Sequence, residues 1–217
     1  MNLRILSVNV GRPRIIGQVR GEVVISGIGK KPVETDSVFV GATDIVGDEQ
    51  ADLSVHGGVD KAVYAYPADH WPWWERERKF PCRAASFGEN LTVEGADESA
   101  VAIGDRFRWG DAMLEVSQPR APCYKLAIHA RPDIPQLMTI TARCGWYFRV
   151  VVEGDAPARD AILERVVKSG APSVFETFVA LFGRGGDADL PLRVRDTPQL
   201  ADDWRRAISA KIRASRG

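Results

Sequence analysis

Over roughly the first 150 residues, apolar positions come in short runs that alternate with polar ones at every second place. Leu3-Arg4-Ile5-Leu6-Ser7-Val8-Asn9-Val10, Glu22-Val23-Val24-Ile25 and Ser37-Val38-Phe39-Val40 are such runs, each bounded by glycine or proline. A period of two puts one set of side chains on each face of a pleated strand, so these segments are expected to be β-strands. Arg106-Phe107-Arg108-Trp109, then Gly110-Asp111, then Ala112-Met113-Leu114-Glu115-Val116 predicts a hairpin whose glycine takes a positive φ. Many short strands with frequent glycine and proline favour a barrel or sandwich over a parallel α/β sheet. Helices interrupt the pattern: Pro67 to Glu77, with Pro72 tolerable near a first turn, and a short one over Ile134 to Met138. The expected class is mainly β with helices, α+β.

After Gly154 the character changes. Ile162 to Val167 reads as one last strand. Ser173-Val174-Phe175-Glu176 is a capping-box pattern that opens an apolar helix through Phe182, and Gly183-Arg184-Gly185-Gly186 ends it. Thr197 followed by Pro198 predicts an N-cap with proline at the first helical position, opening a helix to about Ala214, and a short helix is expected between them, around Ala188 to Arg193. The chain thus divides into a β domain over 1–168 and a three-helix extension over 169–217, the latter too small to stand comfortably alone.

Lysine plus arginine and aspartate plus glutamate each number 29. That balance argues against a dedicated nucleic-acid or membrane-surface binder while leaving room for a local basic pocket. Cysteines at 82, 123 and 144 form no CxxC pair and have no histidine close by, so zinc-site spacing is absent. An odd count without a framework suits a reducing compartment. The N-terminal segment is too brief and too polar for a signal peptide, and no run is long enough to span a bilayer, so a cytoplasmic protein is expected. Trp71, Trp73 and Trp74 are expected to form a heavily buried aromatic patch.

Three polar clusters carry candidate chemistry. The first runs from Gly47 to Tyr64, and in its His56-Gly57-Gly58-Val59-Asp60-Lys61 stretch an imidazole stands beside backbone that can approach a ligand closely. Taken alone, the glycine pair is more often a turn and the histidine a surface residue. Phe87-Gly88-Glu89-Asn90-Leu91 can present donors and acceptors to a polar heterocycle, although by itself it reads equally as a strand entry. In Ser117-Gln118-Pro119-Arg120-Ala121-Pro122-Cys123-Tyr124-Lys125-Leu126, two prolines stiffen a loop in which Arg120 and Lys125 flank a cysteine. Nearby positive charge favours the thiolate, the form that binds metals or attacks electrophiles. A lone cysteine is more often inert packing, and Cys82 and Cys144 are read that way.

Together, and in this order, the three clusters resemble the signature segments of MOSC domains. The likeness extends to Gly27-Ile28-Gly29-Lys30-Lys31-Pro32-Val33 and to Gly104-Asp105, and the helical tail resembles the extension of the YiiM branch. Gly29 departs from the bulky aromatic residue usual there. The resemblance implies a β-barrel-like fold and a bound molybdenum cofactor (molybdopterin), with Cys123 as both catalytic residue and molybdenum ligand, a role that suits a soft thiolate. Lys30, Lys61, Arg120 and Lys125 would serve the phosphate, pterin or substrate. His56 and Asn90 would bond the pterin edge, and Asp60 would orient Lys61 or His56. Pyridoxal phosphate stays open as another ligand. The implied reaction is reduction of an N-hydroxylated compound, such as a hydroxylamino purine base, to the amine. No GxGxxG segment encodes a nicotinamide or flavin site, so electrons would come from a separate reductase, a flavoprotein. Two rivals keep the same cysteine: a sulfur carrier bearing a persulfide on Cys123, and a non-enzymatic cofactor-binding module. The helical tail can support a homodimer.

Overall fold

The computed structural model describes residues 1–51, 57–183 and 187–215. Twelve strands and six α-helices follow one another among them: β1 (Asn2–Val10), β2 (Arg14–Val19), β3 (Glu22–Ser26), β4 (Lys31–Pro32), β5 (Ser37–Val40), β6 (Val63–Pro67), α1 (Trp71–Arg78), β7 (Leu91–Glu94), β8 (Arg106–Trp109), β9 (Ala112–Pro119), α2 (Tyr124–His129), α3 (Ile134–Thr141), β10 (Trp146–Val152), β11 (Gly154–Pro157), β12 (Ile162–Val167), α4 (Val174–Phe182), α5 (Leu190–Arg195) and α6 (Asp202–Ala214). Seven strands run in the order β12-β8-β9-β10-β6-β7-β1, and β1 pairs back onto β12 to close a barrel, with β4 added along β1. All neighbours are antiparallel except β6 and β7, which the crossover through α1 makes parallel.

The closing strand shows how the pattern becomes structure. Leu3 and Ile5 point inward at odd positions, yet Val8 is buried at an even one and Leu6 is 37% exposed. The apolar phase slips by one residue, and the pairing with β7 is irregular at the same place, between Ile5 and Ser7. A bulge inserts one residue and so returns the side chains to the correct faces. At the β8–β9 hairpin, Gly110 has φ 61° as expected, and a Cβ there would stand 2.9 Å from the Cα of Ala156.

Phe107, Trp109, Leu114, Val116, Phe148 and Leu163 fill the barrel, each fully buried. Val174, Phe178, Trp204 and Ile208 from the C-terminal helices belong to the same apolar cluster. Each such burial contributes about 1.5–3 kcal/mol. A second cluster, Tyr64, Tyr66, Trp74, Phe87, Leu126, Ile134 and Met138, lies outside it. Of the three close tryptophans only Trp74 is fully buried, donating from Nε1 to the Tyr66 hydroxyl at 2.6 Å; Trp71 and Trp73 are partly buried against the cluster.

The capping box forms as expected: the Ser173 hydroxyl accepts from the Glu176 N–H at 3.0 Å and the Glu176 carboxylate accepts from the Ser173 N–H at 2.8 Å. Pro72 sits in the first turn of α1, after a 3-10 turn over Ala68–His70 that replaces the start of the expected helix. Thr197-Pro198 does not open the last helix. α6 begins at Asp202 with Ala201 as its N-cap. The Thr197 hydroxyl instead turns back on the Arg193 carbonyl at 3.0 Å, and Arg205 donates to the carbonyls of Thr197, Pro198 and Leu200. These bonds end α5 and hold the connection as a turn. No helix among the described residues is long and apolar enough to cross a membrane.

Candidate functional site

The site begins at an irregularity in β9. Gln118 and Pro119 pair with Tyr147 and Trp146, but Phe148 pairs with Val116, which leaves Ser117 as the extra residue. Its hydroxyl lies 2.6 Å from the Asp60 carbonyl oxygen and 3.0 Å from that of Tyr147. A bulge of this kind bends a strand and re-aims the chain beyond it. Here the re-aimed segment is Arg120 to Cys123, which leads into α2 with Cys123 at its N-cap position.

This loop forms one wall of a cleft. Opposite stand the segment Ser26–Ile28 with Lys30, and Phe87, Gly88 and Asn90. Tyr64, Tyr147 and the stretch from Asp48 to Ala51 complete it. Gly88, at φ 80°, lies against Ile28, whose carbonyl oxygen would be 3.2 Å from any Cβ placed there. Beside Gly29 the missing side chain is replaced by Arg14, whose Nε would lie 2.9 Å from a Cβ.

Of the residues singled out in the sequence, Lys30, Lys61, Asn90, Arg120, Cys123 and Lys125 all border this cleft. Asp60 does not: its carboxylate is bound by Arg149, with the guanidinium Nε at 2.8 Å. It therefore steadies β10 instead of facing the cavity. His56 lies outside the described residues.

Two members are committed to the scaffold. The Asp48 carboxylate pairs with Lys30, and accepts from the Gly11 N–H at 2.8 Å and from the Asn90 amide at 2.9 Å. Asn90 also donates to the Asn9 carbonyl at 3.2 Å and accepts from the Tyr64 N–H at 3.1 Å. Asn90 thus ties β1, β6 and β7 together and has little amide capacity left for a ligand. Burial pushes the Lys30 ammonium pKa down, against the attraction of Asp48.

Arg120 differs. It is 4% exposed, its guanidinium lies over the Tyr64 ring, and it also meets Met138 Sδ at 3.8 Å and the Tyr147 hydroxyl. Among the described residues it makes no ion pair. Burial disfavours its charge, yet Tyr64, Cys123 and Tyr147 outweigh this and hold its pKa above the ordinary value. Lys125, 9% exposed, likewise has no ion-pair partner among the described residues. A buried unpaired cation is costly, so two of them beside one cysteine mark a place for an anionic group.

The three cysteines separate cleanly. Cys123 is half-buried at the cleft wall. Cys144 is fully buried, and burial drives its pKa well up; Cys82 is pushed up to about 12, by burial first and then by Glu75 and Glu89. Both remain thiols at neutral pH. Glu89 is structural too: it accepts from the N–H groups of Ala85 and Phe87 at 2.9 and 3.0 Å and from the Thr92 hydroxyl at 2.9 Å.

Comparison with known proteins places this architecture. The MOSC domain family model matches residues 52–170, more than half the chain. The chain belongs to the MOSC-domain family. It is of the YiiM type: protein YiiM of Escherichia coli is 38% identical over 93% of this chain and 85% of that protein. The crystal structure of YiiM from Geobacillus stearothermophilus superposes with a TM-score of 0.79 at 34% identity, covering 97% of this chain and 99% of that one. A protein of Gibberella moniliformis named simply reductase is 39% identical over 74% of this chain but only 29% of its own length.

In this MOSC protein, the residues that sequence reasoning passed over are Asp48, Tyr64 and Tyr147. Asp48 and Tyr64 lay inside or beside the first polar cluster without a chemical pattern to single them out. Tyr147 gave no local signal at all, because only closure of β10 against β9 and β6 brings it to Cys123.

Proposed function

We propose that the cleft holds molybdenum cofactor through Cys123 and that the protein reduces N-hydroxylated compounds, hydroxylamino purine bases among them. The observation that carries this reading is the buried Arg120 guanidinium, which pairs with no carboxylate among the described residues, next to an accessible thiol. MOSC domains are generally associated with molybdenum cofactor binding. The donor set suits that group: a soft sulfur for the metal, a planar guanidinium fork and an ammonium for an anionic pterin phosphate. Among the described residues no three His, Cys, Asp or Glu side chains gather to hold a metal ion, so Cys123 would act as a single protein ligand to a metal carried in by an organic group.

When bound, the cofactor supplies the two-electron redox chemistry. The chain's own residues bind, orient and shield. Cys123 fixes the group's position, Arg120 and Lys125 balance its charge, and the Tyr64 and Tyr147 rings keep water from the buried side of the cleft. The balanced reaction is R–NHOH + 2 e⁻ + 2 H⁺ → R–NH2 + H2O, with electrons delivered by a separate flavoprotein reductase.

The test is elemental analysis and turnover of protein made in a host that synthesises the cofactor. Stoichiometric molybdenum and reduction of a hydroxylamino purine by a chemical reductant are expected, and Cys123→Ser should lose both. A mass increase of one sulfur on Cys123 without molybdenum would instead make the protein a sulfur carrier. Molybdenum without turnover would make it a cofactor-binding module.

A further inference from the structure

A second groove also borders Cys123. On the barrel side it is lined by Gln118, Ala121, Pro122 and Cys123, and on the tail side by Leu181, Trp204 and Ala207. Cys123, Lys61 and Tyr147 border both this groove and the cleft, so Cys123 stands at their junction. Its walls are apolar apart from two features. Lys61 and Asp203 also border it and are paired at 3.2 Å, joining the barrel to α6. Gln118 is 2% exposed, and its buried Oε1 has no hydrogen-bond partner among the described residues.

An unmatched buried amide oxygen is destabilising, and a bound donor would recover that loss. The side chain is placed by the bulge at Ser117, and the Ser117 carbonyl accepts from the Ala201 N–H at 3.0 Å, tying this point to the helical extension. The amide is therefore held in position against a groove built jointly by the two parts of the chain.

We infer that this groove is the substrate subsite, and that Gln118 recognises the edge of a neutral, flat, N–H-bearing heterocycle lying between the Pro122 loop and Trp204. This rests on the reductase reading and deepens it: the cofactor would occupy the barrel cleft and the substrate would come from the tail side, with Cys123 between. A glutamine amide sets an acceptor beside a donor, which matches an exocyclic N–H next to a ring nitrogen, as on the N6/N7 edge of a 6-aminopurine. The apolar walls suit its faces, and the closed Lys61–Asp203 pair leaves the groove without a strong charge preference.

The experiment uses full-length, molybdenum-loaded wild type, Gln118→Leu and Ala207→Leu. Ala207 is only half-buried, so a leucine there fills the groove without entering the core. Three quantities are measured: molybdenum content, calorimetric affinity for adenine, and KM and kcat for 6-hydroxylaminopurine against free hydroxylamine. Molybdenum content should match wild type in both variants. Adenine affinity should fall, and the purine KM rise, about tenfold in Gln118→Leu, the worth of one hydrogen bond, and further in Ala207→Leu. Hydroxylamine, too small to need the groove, should be turned over within twofold of wild type. Purine affinity and KM unchanged in both variants would overturn the assignment while leaving the reductase reading intact. A loaded wild type that reduces neither compound would overturn the reductase reading, and adenine binding would still decide the groove.

Discussion

The guanidinium carbon of Arg120 lies 5.4 Å from the centroid of the Tyr64 ring, and no carboxylate among the described residues pairs with it. Tyr64 is itself fixed, donating from its hydroxyl to the Cys144 carbonyl at 2.8 Å. Cation–π attraction of this kind is worth about 0.5–2 kcal/mol, less than the several kcal/mol needed to bury a charged group. The balance is a site kept at a standing cost whenever no anionic ligand is bound.

Replacing Arg120 by Met tests that balance. The cofactor-free variant should unfold at the same free energy as wild type or up to about 2 kcal/mol higher in urea, because a buried unpaired charge is removed and an apolar stem of similar size remains. Molybdenum retained after gel filtration should fall at least tenfold. A variant destabilised by more than about 2 kcal/mol would show the guanidinium to be a structural member first.

Cysteine chemistry offers an independent reading of the same wall. Burial raises the thiol pKa of Cys144 and of Cys82, whereas Cys123 borders two cavities. Only thiolate reacts appreciably with iodoacetamide. At pH 7.5 peptide mass spectrometry should find Cys123 alkylated at least tenfold faster than the other two, and cofactor loading should protect it. Labelling of Cys82 ahead of Cys123 would contradict this order of accessibility.

Some of the molecule was readable in the sequence and some was not, for physical reasons. Strand β1, the β8–β9 hairpin and the Ser173–Glu176 capping box announce themselves because each depends on residues within one short segment. Strand β10 does not, since Trp146-Tyr147-Phe148 and Val150-Val151-Val152 make a nearly continuous apolar run with no period to decide helix or strand. Helix α2 is six residues long and comes after a proline loop, too short to show a face. At the site, the charges around Cys123 were visible as neighbours in the chain. Asn90 was visible too, but not its commitment to Asp48 and Tyr64, which exists only once β1, β6 and β7 are side by side.

The Phe87–Asn90 loop gives a pH signature through Glu89. Burial raises its pKa, although the N–H groups of Phe87 and Ala85 and the Thr92 hydroxyl pull the other way. The folded state therefore holds this proton more tightly than the unfolded chain does. The stabilisation from that proton is fully present below the unfolded value of 4.5 and is lost as pH rises through the higher folded value. Glu89→Gln removes that segment of the stability–pH curve. It should also cost about 1–3 kcal/mol at pH 7, because one of its two terminal atoms becomes a donor facing N–H or O–H donors. Urea midpoints from pH 4 to 8 measure both, and an unchanged curve shape in the variant would assign the slope elsewhere.

The helical extension and the barrel share one apolar cluster, and this predicts how they unfold. Trp204 is 4% exposed and packs on Phe178 and Phe182 with ring centroids 6.2 and 5.9 Å away. Truncating it to Ala should cost about 3–5 kcal/mol. Phe178, its neighbour, belongs to the same cluster as barrel residues such as Phe107 and Trp109, and the Ala201–Ser117 hydrogen bond crosses the same boundary. The loss should therefore be felt by the whole chain in one cooperative transition. Far-UV circular dichroism reports the total, and alkylation of Cys144, buried on the barrel side, reports the barrel alone. Both midpoints should move by the same amount in Trp204→Ala. If Cys144 kept its wild-type protection while helical signal was lost, the extension would be an independently melting unit, and the groove beside Cys123 would open without the barrel unfolding.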